Sequence, residues 1–169
     1  MKIIPATKEH LDQISEIYQY YILNSVATFR TTKDGTLDVE SFYKDHQKRS
    51  LPLLVALEED QVIGYCYLYP YKKEYSGYNH TFCDTIYINP NHLGKSVGSK
   101  LLESMILESK ANSKVHNIIS KIAIDIGQEV NASIALHKKF GFVVVGRMSG
   151  VGYKDDQVID VVTMQLKLN

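Results

Sequence analysis

A glycine-containing loop between a predicted strand and a predicted helix carries the clearest chemical signal in the sequence. The alternating apolar run around Ile86 stops at a proline, and apolar residues then recur at Val97, Leu101 and Met105. Their spacing places them on one face of a helix. The first turn of a helix leaves backbone N–H groups without partners and adds roughly half a positive charge. The segment 94–99 is therefore predicted to bind phosphate through the main chain, which favours a phosphorylated cofactor.

The spacing within this loop excludes two common phosphate-binding motifs. Gly94 and Gly98 do not fit the dinucleotide pattern Gly-x-Gly-x-x-Gly, and Lys95 and Ser96 stand too early for a Walker loop. The segment instead resembles the acyl-CoA loop of the GCN5-related N-acetyltransferases (GNAT), Gln/Arg-x-x-Gly-x-Gly/Ala. Leu93 then stands at the Gln/Arg place, Ser96 at the first glycine and Gly98 at the second. Two of the three places depart from the pattern.

Four further segments resemble phosphinothricin N-acetyltransferases, a group within that superfamily. They are Ile-Tyr followed by Ala-Thr-Phe within 17–29, Gly-Tyr at 77–78, Ser-x-x-Leu-His-x-x-x-Gly-Phe at 133–142, and Gly-Tyr-Lys at 152–154 with Asp160. The resemblance runs from the first predicted strand to the last, in the family's order. It implies an acetyltransferase that uses acetyl-CoA, and the relatives also suggest a homodimer.

Length and composition restrict the remaining possibilities. At 169 residues the chain is expected to form one domain, residues 1–169. Its 19 basic and 19 acidic residues cancel, which argues against nucleic acid or an anionic membrane as a partner. Charged residues interrupt any early apolar run, so no signal peptide is expected. Cys66 and Cys83 lie in apolar strand patterns, and a reducing cytoplasmic setting fits best.

The hydrophobic pattern alone predicts a mixed α and β domain. The resemblance makes this an α/β (α+β) GNAT fold, with a mixed, mostly antiparallel twisted sheet flanked by helices on both faces. The expected order is β-α-α-β-β-β-α-β-α-β-β. The predicted strands are 2–5, 53–57, 62–69, 80–89, 117–125, 142–148 and 158–167, and the later predicted helices are 97–109 and 131–140.

The resemblance also implies how acetyl-CoA would bind. Its pantetheine arm would pair with the backbone of Ile86, Tyr87 and Ile88. Its diphosphate would accept hydrogen bonds from main-chain N–H groups of the loop, and Leu93 would lie beside it. The loop residues are Gly94, Lys95, Ser96, Val97, Gly98 and Ser99. A side chain at position 96 fits without strain only if its backbone is helical, since a positive φ disfavours serine.

An asparagine is expected at the start of the last helix. Relatives place it where this chain has Val130, and Asn131 stands one position later. Asn131 is expected to act as helix N-cap or as a pantetheine partner.

Two residues are candidates for proton transfer. His137 matches the family's Leu-His, whose side chain faces the CoA sulfur, so it would protonate the leaving thiolate or relay the amine's proton. Cys83 stands where relatives carry the glutamate presumed to be the base, and Asp84 is the acid beside it. A shift of one residue turns a strand side chain to the other face. Either a bulge brings Asp84 into the cleft or the cleft lacks this carboxylate.

The acceptor pocket is expected to be aromatic and weakly polar. By resemblance it would contain Phe29, Tyr75, Tyr78 and Tyr153, although each ring could equally fill the core. Tyr75 stands where amino-acid-binding relatives have an arginine, so a cation would have to come from elsewhere, and Lys73 and Lys154 are candidates.

The predicted activity is acetyl transfer to the amine of a small molecule, an amino acid or an analogue such as phosphinothricin or methionine sulfone. The departures at Cys83, Leu93, Ser96 and Val130 leave open a weakly active CoA-binding homologue or regulator. A protein or peptide N-acetyltransferase is a further alternative. Metal-ligand spacing is lacking, so no metal is expected.

Overall fold

The computed structural model describes residues 1–125, 127, 129 and 131–168. Its strands are β1 (Lys2–Pro5), β2 (Leu53–Glu58), β3 (Gln61–Pro70), β4 (Thr81–Ile88), β5 (Asn117–Asp125), β6 (Val143–Lys154) and β7 (Gln157–Lys167). Its α-helices are α1 (Leu11–Asn24), α2 (Val39–Arg49), α3 (Val97–Ala111) and α4 (Ala132–Lys139). The predicted order of these elements is confirmed. No helix within the described residues is both long and apolar enough to cross a bilayer.

One sheet contains all seven strands, in the order β1-β2-β3-β4-β5-β7-β6. Every neighbouring pair is antiparallel except β4 and β5. The alternating side chains of the strands supply two hydrophobic cores, one on each face of the sheet. α1 and α2 cover the face that carries Tyr65 and Tyr87, whereas α3 and α4 cover the face that carries Phe82 and Ile118. The predicted mostly antiparallel sheet with helices on both faces is therefore confirmed.

The parallel pair of β4 and β5 separates soon after it begins. Its register runs only from Thr81 opposite Asn117 to Cys83 opposite Ile119. Beyond that point β4 continues to pair with β3, and β5 continues to pair with β7. The two strands therefore diverge in the middle of the sheet, and a cleft opens between them.

β6 is longer than predicted, since it continues to Lys154 rather than ending near residue 148. Its pairing with β7 shifts register between Val144 and Gly146 and again between Met148 and Gly152. Each irregularity inserts residues that break the alternation of inward and outward side chains. The glycine-rich second half of the strand therefore lacks the periodic pattern that identifies a strand in a sequence.

Candidate active site

A cavity of about 1180 Å³ occupies the cleft between β4 and β5. Residues from β4, β5 and the first turns of α3 and α4 line it, and its wall includes Asp84, His137 and residues 96–99. Pockets for drug-sized ligands measure roughly 300–1,000 Å³, so this one has room for a larger molecule or for two.

β4 presents an unpaired backbone edge to this cavity. At one end of the β3–β4 ladder Asn89 N donates to Ile63 O at 2.9 Å, and at the other end Tyr71 N donates to Thr81 O at 3.1 Å. The odd-numbered residues of β4 therefore turn their backbone N–H and carbonyl groups towards β3. Even-numbered residues therefore face β5, and the described pairing with β5 stops before Ile86. Ile88 O accepts a hydrogen bond from the Tyr21 hydroxyl at 2.7 Å. The N–H groups of residues 86 and 88 and the carbonyl of residue 86 point into the gap.

Tyr87 differs from its two neighbours. Its backbone belongs to the β3 ladder opposite Tyr65, and its ring is buried on the α1 face against Tyr18 and Tyr21. The expectation that its backbone pairs with a cofactor is therefore wrong, although the side chain forms part of the cavity wall.

The loop before α3 offers a run of free donors. Between the described residues, no hydrogen bond uses the backbone N–H of residues 94–99, and the first of this helix is from Lys100 N to Ser96 O at 3.2 Å. The N–H groups lie where the helix dipole is positive. The Lys95 side chain is exposed and does not line the cavity, whereas Val97 is buried in the core, so these two contribute through the main chain. Leu93 is 59% exposed at the cavity rim.

Ser96 is held in the left-handed conformation, with φ of 61°. The sequence-based condition that its backbone be right-handed helical is therefore not met. This conformation costs an L-residue roughly 1–2 kcal/mol, and the Ser96 side chain makes no capping hydrogen bond in return. The position thus keeps the geometry for which a glycine is best suited.

Asn131 caps α4. Its Oδ1 accepts a hydrogen bond from Ile134 N at 2.9 Å, and its Nδ2 donates to Ala123 O at 3.2 Å. The N-cap expectation is confirmed, and the same side chain ties the start of α4 to β5. Position 130, where relatives place their asparagine, lies outside the described residues.

His137 and Asp84 form a buried pair in the cavity wall. The distance between His137 Nε2 and Asp84 Oδ2 is 2.8 Å, and both side chains are at most 4% exposed. Ser120 Oγ lies 2.9 Å from the same nitrogen. On the other side of the ring, Nδ1 lies 2.7 Å from the carbonyl oxygen of Ser133. Asp84 Oδ1 is buried and has no hydrogen-bond donor among the described groups.

This geometry fixes where the protons lie. A carbonyl oxygen only accepts, so Nδ1 carries a hydrogen and donates it to Ser133 O. Nε2 faces a carboxylate oxygen, so a second proton must lie between His137 and Asp84. Burial by itself would lower the pKa of His137, but the hydrogen bond and the negative charge of Asp84 outweigh it and raise that pKa above its ordinary value. The pair therefore holds a proton in the cavity wall.

Asp84 reaches the cavity without a bulge. The β3–β4 register is continuous from Gly64 opposite Ile88 to Pro70 opposite Phe82. Asp84 follows the last residue of β4 that pairs with β5, and it points to the face covered by α4. The expectation that only a bulge could bring this carboxylate into the cleft is wrong, because the divergence of the strands exposes the other face to the cavity.

Cys83 has the properties of a buried strand residue. It is 1% exposed and does not line the cavity. Burial raises the pKa of its thiol to about 11, so the reactive thiolate is scarce at neutral pH. Its burial and its raised thiol pKa thus argue against Cys83 as a nucleophile.

Of the four aromatic residues predicted for the acceptor pocket, only Phe29 lines the cavity. Tyr75 is 60% exposed in the β3–β4 connection, and Tyr78 packs edge-on against Tyr71 at 5.3 Å. Tyr153 is 67% exposed because it alternates outwards on β6, and its hydroxyl donates to Asp156. For these three tyrosines the expectation of a place in the pocket of the same chain is wrong.

Lys154, a candidate cation for the substrate, is instead bonded to backbone carbonyl groups. It is 2% exposed, and its ammonium group donates to Tyr21 O, Ser25 O and Thr28 O at 3.4, 2.5 and 2.9 Å. These carbonyls belong to the end of α1 and the loop that follows it. Lys154 thus holds the loop that carries Phe29 and cannot serve as a free cation for a substrate. Lys73 is exposed and lies outside the cavity wall.

The chain matches a known protein family over most of its length. Residues 15–142 match the Acetyltransferase (GNAT) family. The chain belongs to this family. It is 33% identical to the L-amino acid N-acyltransferase MnaT of Escherichia coli strain K12 over 172 residues, which cover 100% of the chain and 95% of that protein.

Two solved structures share the fold. A GNAT superfamily phosphinothricin acetyltransferase from Sinorhizobium meliloti, in complex with AcCoA, has a TM-score of 0.88 and 29% identity, covering 99% of this chain and 88% of the other. A ribosomal-protein-alanine N-acetyltransferase from Brucella melitensis has a TM-score of 0.88 and 30% identity, covering 99% of both chains. The predicted family, enzyme class and acetyl-CoA dependence are confirmed.

The cavity of this GNAT enzyme fits acetyl-CoA. The free N–H groups of residues 94–99 suit a diphosphate, and the unpaired edge of β4 suits the amides of a pantetheine arm. In the described part of the chain, no group of three or more His, Cys, Asp or Glu side chains is arranged to hold a metal ion.

Several residues of the cavity wall were not predicted as site residues from the sequence. They are Tyr67, Tyr69, His92, Ser120 and Lys121. A pattern of burial does not reveal them, because it indicates which residues face inwards and not where β4 and β5 separate to form a cleft. Ser120 had one available signal, since it is a polar residue at an inward position of an isoleucine-rich strand.

We predict that Ser96→Gly stabilises the GNAT fold. It removes left-handed strain without removing a hydrogen bond, and the greater freedom of the unfolded chain offsets part of the gain, so the free energy of unfolding should rise by about 0.5–1 kcal/mol. Urea denaturation measures the change. Ser104→Gly, within α3, is the matched control and should cost about 0.5 kcal/mol. Equal losses in both variants would show that position 96 is not strained.

Proposed function

We propose that this enzyme transfers an acetyl group from acetyl-CoA to the amine of a small molecule, an amino acid or an amino-acid analogue. The names of MnaT and of the Sinorhizobium meliloti enzyme support this class of acceptor. The observation that carries the proposal is the buried Asp84–His137 pair, which holds a proton beside the open edge of β4.

The proposed binding roles follow from the free polar groups. The N–H groups of residues 94–99 hold the diphosphate, and the backbone of Ile86 and Ile88 pairs with the pantetheine arm. Asn131 keeps the N-terminus of α4 against β5, which positions His137 six residues further along the helix. Acetyl-CoA supplies a thioester carbonyl that a neutral amine attacks directly in a ternary complex.

The amine must first lose a proton. An alkylamine with a pKa near 10.4 requires about 4–5 kcal/mol to be neutral at pH 7, whereas a peptide α-amine requires about 1 kcal/mol. The proton released after attack must reach a base, and the departing thiolate needs a proton. A group that gives one proton and takes another therefore assists both steps.

We assign this exchange to Asp84 and His137. Because the carboxylate raises the pKa of the imidazole, the pair keeps its proton to a higher pH than a free imidazole would and can donate it to the thiolate sulfur. The proton lost by the attacking amine then restores the pair through water.

We further propose that the enzyme forms a homodimer through β6. This strand ends the sheet, and its residues expose apolar side chains to solvent, among them Val143, Val144, Val145, Met148 and Val151. Exposed apolar edges of this kind mark sites of association. Met148 and Val151 also line the cavity, so a second copy on β6 would border its acceptor end.

We also propose that residues 1–169 act as one domain in the cytoplasm, without nucleic acid or membrane as a partner. The balanced charge of the chain and its two free, buried cysteines support this setting.

We predict that the enzyme releases thiol from acetyl-CoA in the presence of L-amino acids. The measurement is steady-state thiol release with a panel of amino acids, polyamines and peptides with free N-termini. Turnover of peptides alone would favour the activity named for the Brucella melitensis neighbour. Calorimetric binding of acetyl-CoA with no turnover of any amine would indicate a weakly active CoA-binding homologue and refute the proposal.

We predict that His137→Ala lowers kcat by about 100-fold or more and leaves the KM for acetyl-CoA nearly unchanged. Asp84→Asn removes the charge that raises the pKa of His137, so the alkaline limb of kcat should move to lower pH. pH profiles of kcat measure both effects. Asp45→Asn, an exposed aspartate paired with Arg49, is the control. An unmoved limb in the Asp84 variant would contradict the assigned roles.

We predict that light scattering after gel filtration gives twice the chain mass of 19.2 kDa. Val144→Lys places a charge on the apolar edge and should shift the population to the monomer. Leu107→Lys, at a position 62% exposed on α3, is the control and should leave the mass unchanged. A monomeric parent protein would rule out the dimer.

A further inference from the structure

The part of the cavity that would hold the acceptor amine still needs a cation for a substrate carboxylate. None of the cationic residues discussed so far in the described part of the chain can fill that role. Lys154 is bonded to three carbonyl oxygens, and Tyr75 occupies the place where amino-acid-binding relatives carry an arginine. An amino-acid acceptor needs a cation near its amine, because its carboxylate is only one carbon away.

We propose that Lys121 binds the carboxylate of the acceptor and selects α-amino acids. This inference rests on the proposed amino-acid acceptor and adds the residue that recognises it. Lys121 lies on β5, lines the cavity and has an exposed side chain.

Lys121 lies on the acceptor side of the sheet. Ile119 is opposite Cys83 in the register, and Lys121 is two residues further along β5, so it shares the face of Cys83. Relatives place their presumed base at the position of Cys83. The positive charge of Lys121 opposes the effect of burial on the Cys83 thiol pKa, which supports their closeness. Asp84 and Ser120 point to the opposite face, towards His137.

Aromatic rings hold the side chain in place. Lys121 Nζ lies 5.3 Å from the centre of the Tyr71 ring, and Tyr71 packs edge-on against Tyr78. Such a contact orients an ammonium group without neutralising it. Tyr78, which was expected to touch the acceptor, instead stands behind the ring that supports Lys121.

The charge of Lys121 is available for a ligand. None of the ion pairs between described residues includes it, and Asp84, the carboxylate in the described cavity wall, is already paired with His137. The neighbouring walls carry neutral groups such as Thr28, Tyr67 and Tyr69. An anionic group is therefore favoured there, and a polycation is repelled.

The same charge has a second effect on an α-amino acid. A fixed cation disfavours the protonated form of a nearby ammonium group. A carboxylate bound to Lys121 brings the α-amine close to that charge, so the neutral nucleophile becomes easier to form. Recognition and activation would then depend on one residue.

The test compares an L-amino acid with its carboxamide, which keeps the side chain and replaces the carboxylate with a neutral group. The parent enzyme should show a higher kcat/KM for the acid, and Lys121→Met should reduce the acid-to-amide ratio by about 10-fold or more. Lys121→Arg keeps the charge and should retain most of the ratio. The KM for acetyl-CoA should be unchanged in both variants.

Lys72→Met is the matched control, because Lys72 also lies over the Tyr71 ring, at 5.6 Å, but is outside the cavity wall. It should leave the ratio unaltered. An equal acid-to-amide ratio in the parent and in Lys121→Met, or no preference for the acid in the parent, would overturn the assignment.

Calorimetry separates this inference from the activity itself. The acid and the amide are titrated into the protein saturated with CoA. Tighter binding of the acid that is lost in Lys121→Met supports the carboxylate site even if no thiol is released, in which case only the proposed transfer fails. Equal binding of acid and amide to the parent overturns the site even if the enzyme turns over other amines.

Discussion

The divergence of β4 from β5 is the constraint on which the rest of this structure depends. The parallel ladder ends at Cys83 and Ile119, yet neither strand is loosened, because β3 holds the other edge of β4 and β7 holds the other edge of β5. The cost is a set of backbone groups with no strand partner in the middle of a sheet, which water or a ligand must satisfy. The gap thereby becomes an extended polar slot that ends at the N-terminus of α3, and a long cofactor with amides and a diphosphate matches that sequence of groups.

A buried ion pair spans this gap where backbone hydrogen bonds stop. Asp84 and Ser120 are the first residues of β4 and β5 beyond the last paired register, and both contact His137 of α4. Burying two charges is costly, and removing one partner of such a pair typically costs about 3–5 kcal/mol. The pair therefore ties α4 to β4 only while both partners are present.

The sequence was informative wherever a structural feature depends on the main chain or on a regular hydrophobic period. The loop at 94–99, the order of the elements and the capping role of Asn131 all follow from local patterns. The sequence does not reveal which side chains face a cleft, because that depends on where two neighbouring strands separate. Asp84 lies on the face that alternation assigns to the core, and Tyr78 and Tyr153 lie outside the pocket although both belong to segments that resemble the relatives. Lys154 illustrates the same limit, because nothing local predicts that a lysine will be buried against three carbonyls.

The two faces of β4 divide the proposed chemistry. Relatives carry their presumed base at the position of Cys83, on the acceptor face, whereas the acid of this chain lies one residue later and so points to the opposite face. A carboxylate there cannot contact the acceptor from the usual direction, but it can hold a protonated imidazole near the sulfur end of a cofactor in the slot. The acceptor face then keeps a cation, Lys121, in place of an acid. Such an arrangement suits an acceptor that is itself an anion, since a carboxylate beside a glutamate would be repelled and beside a lysine is attracted.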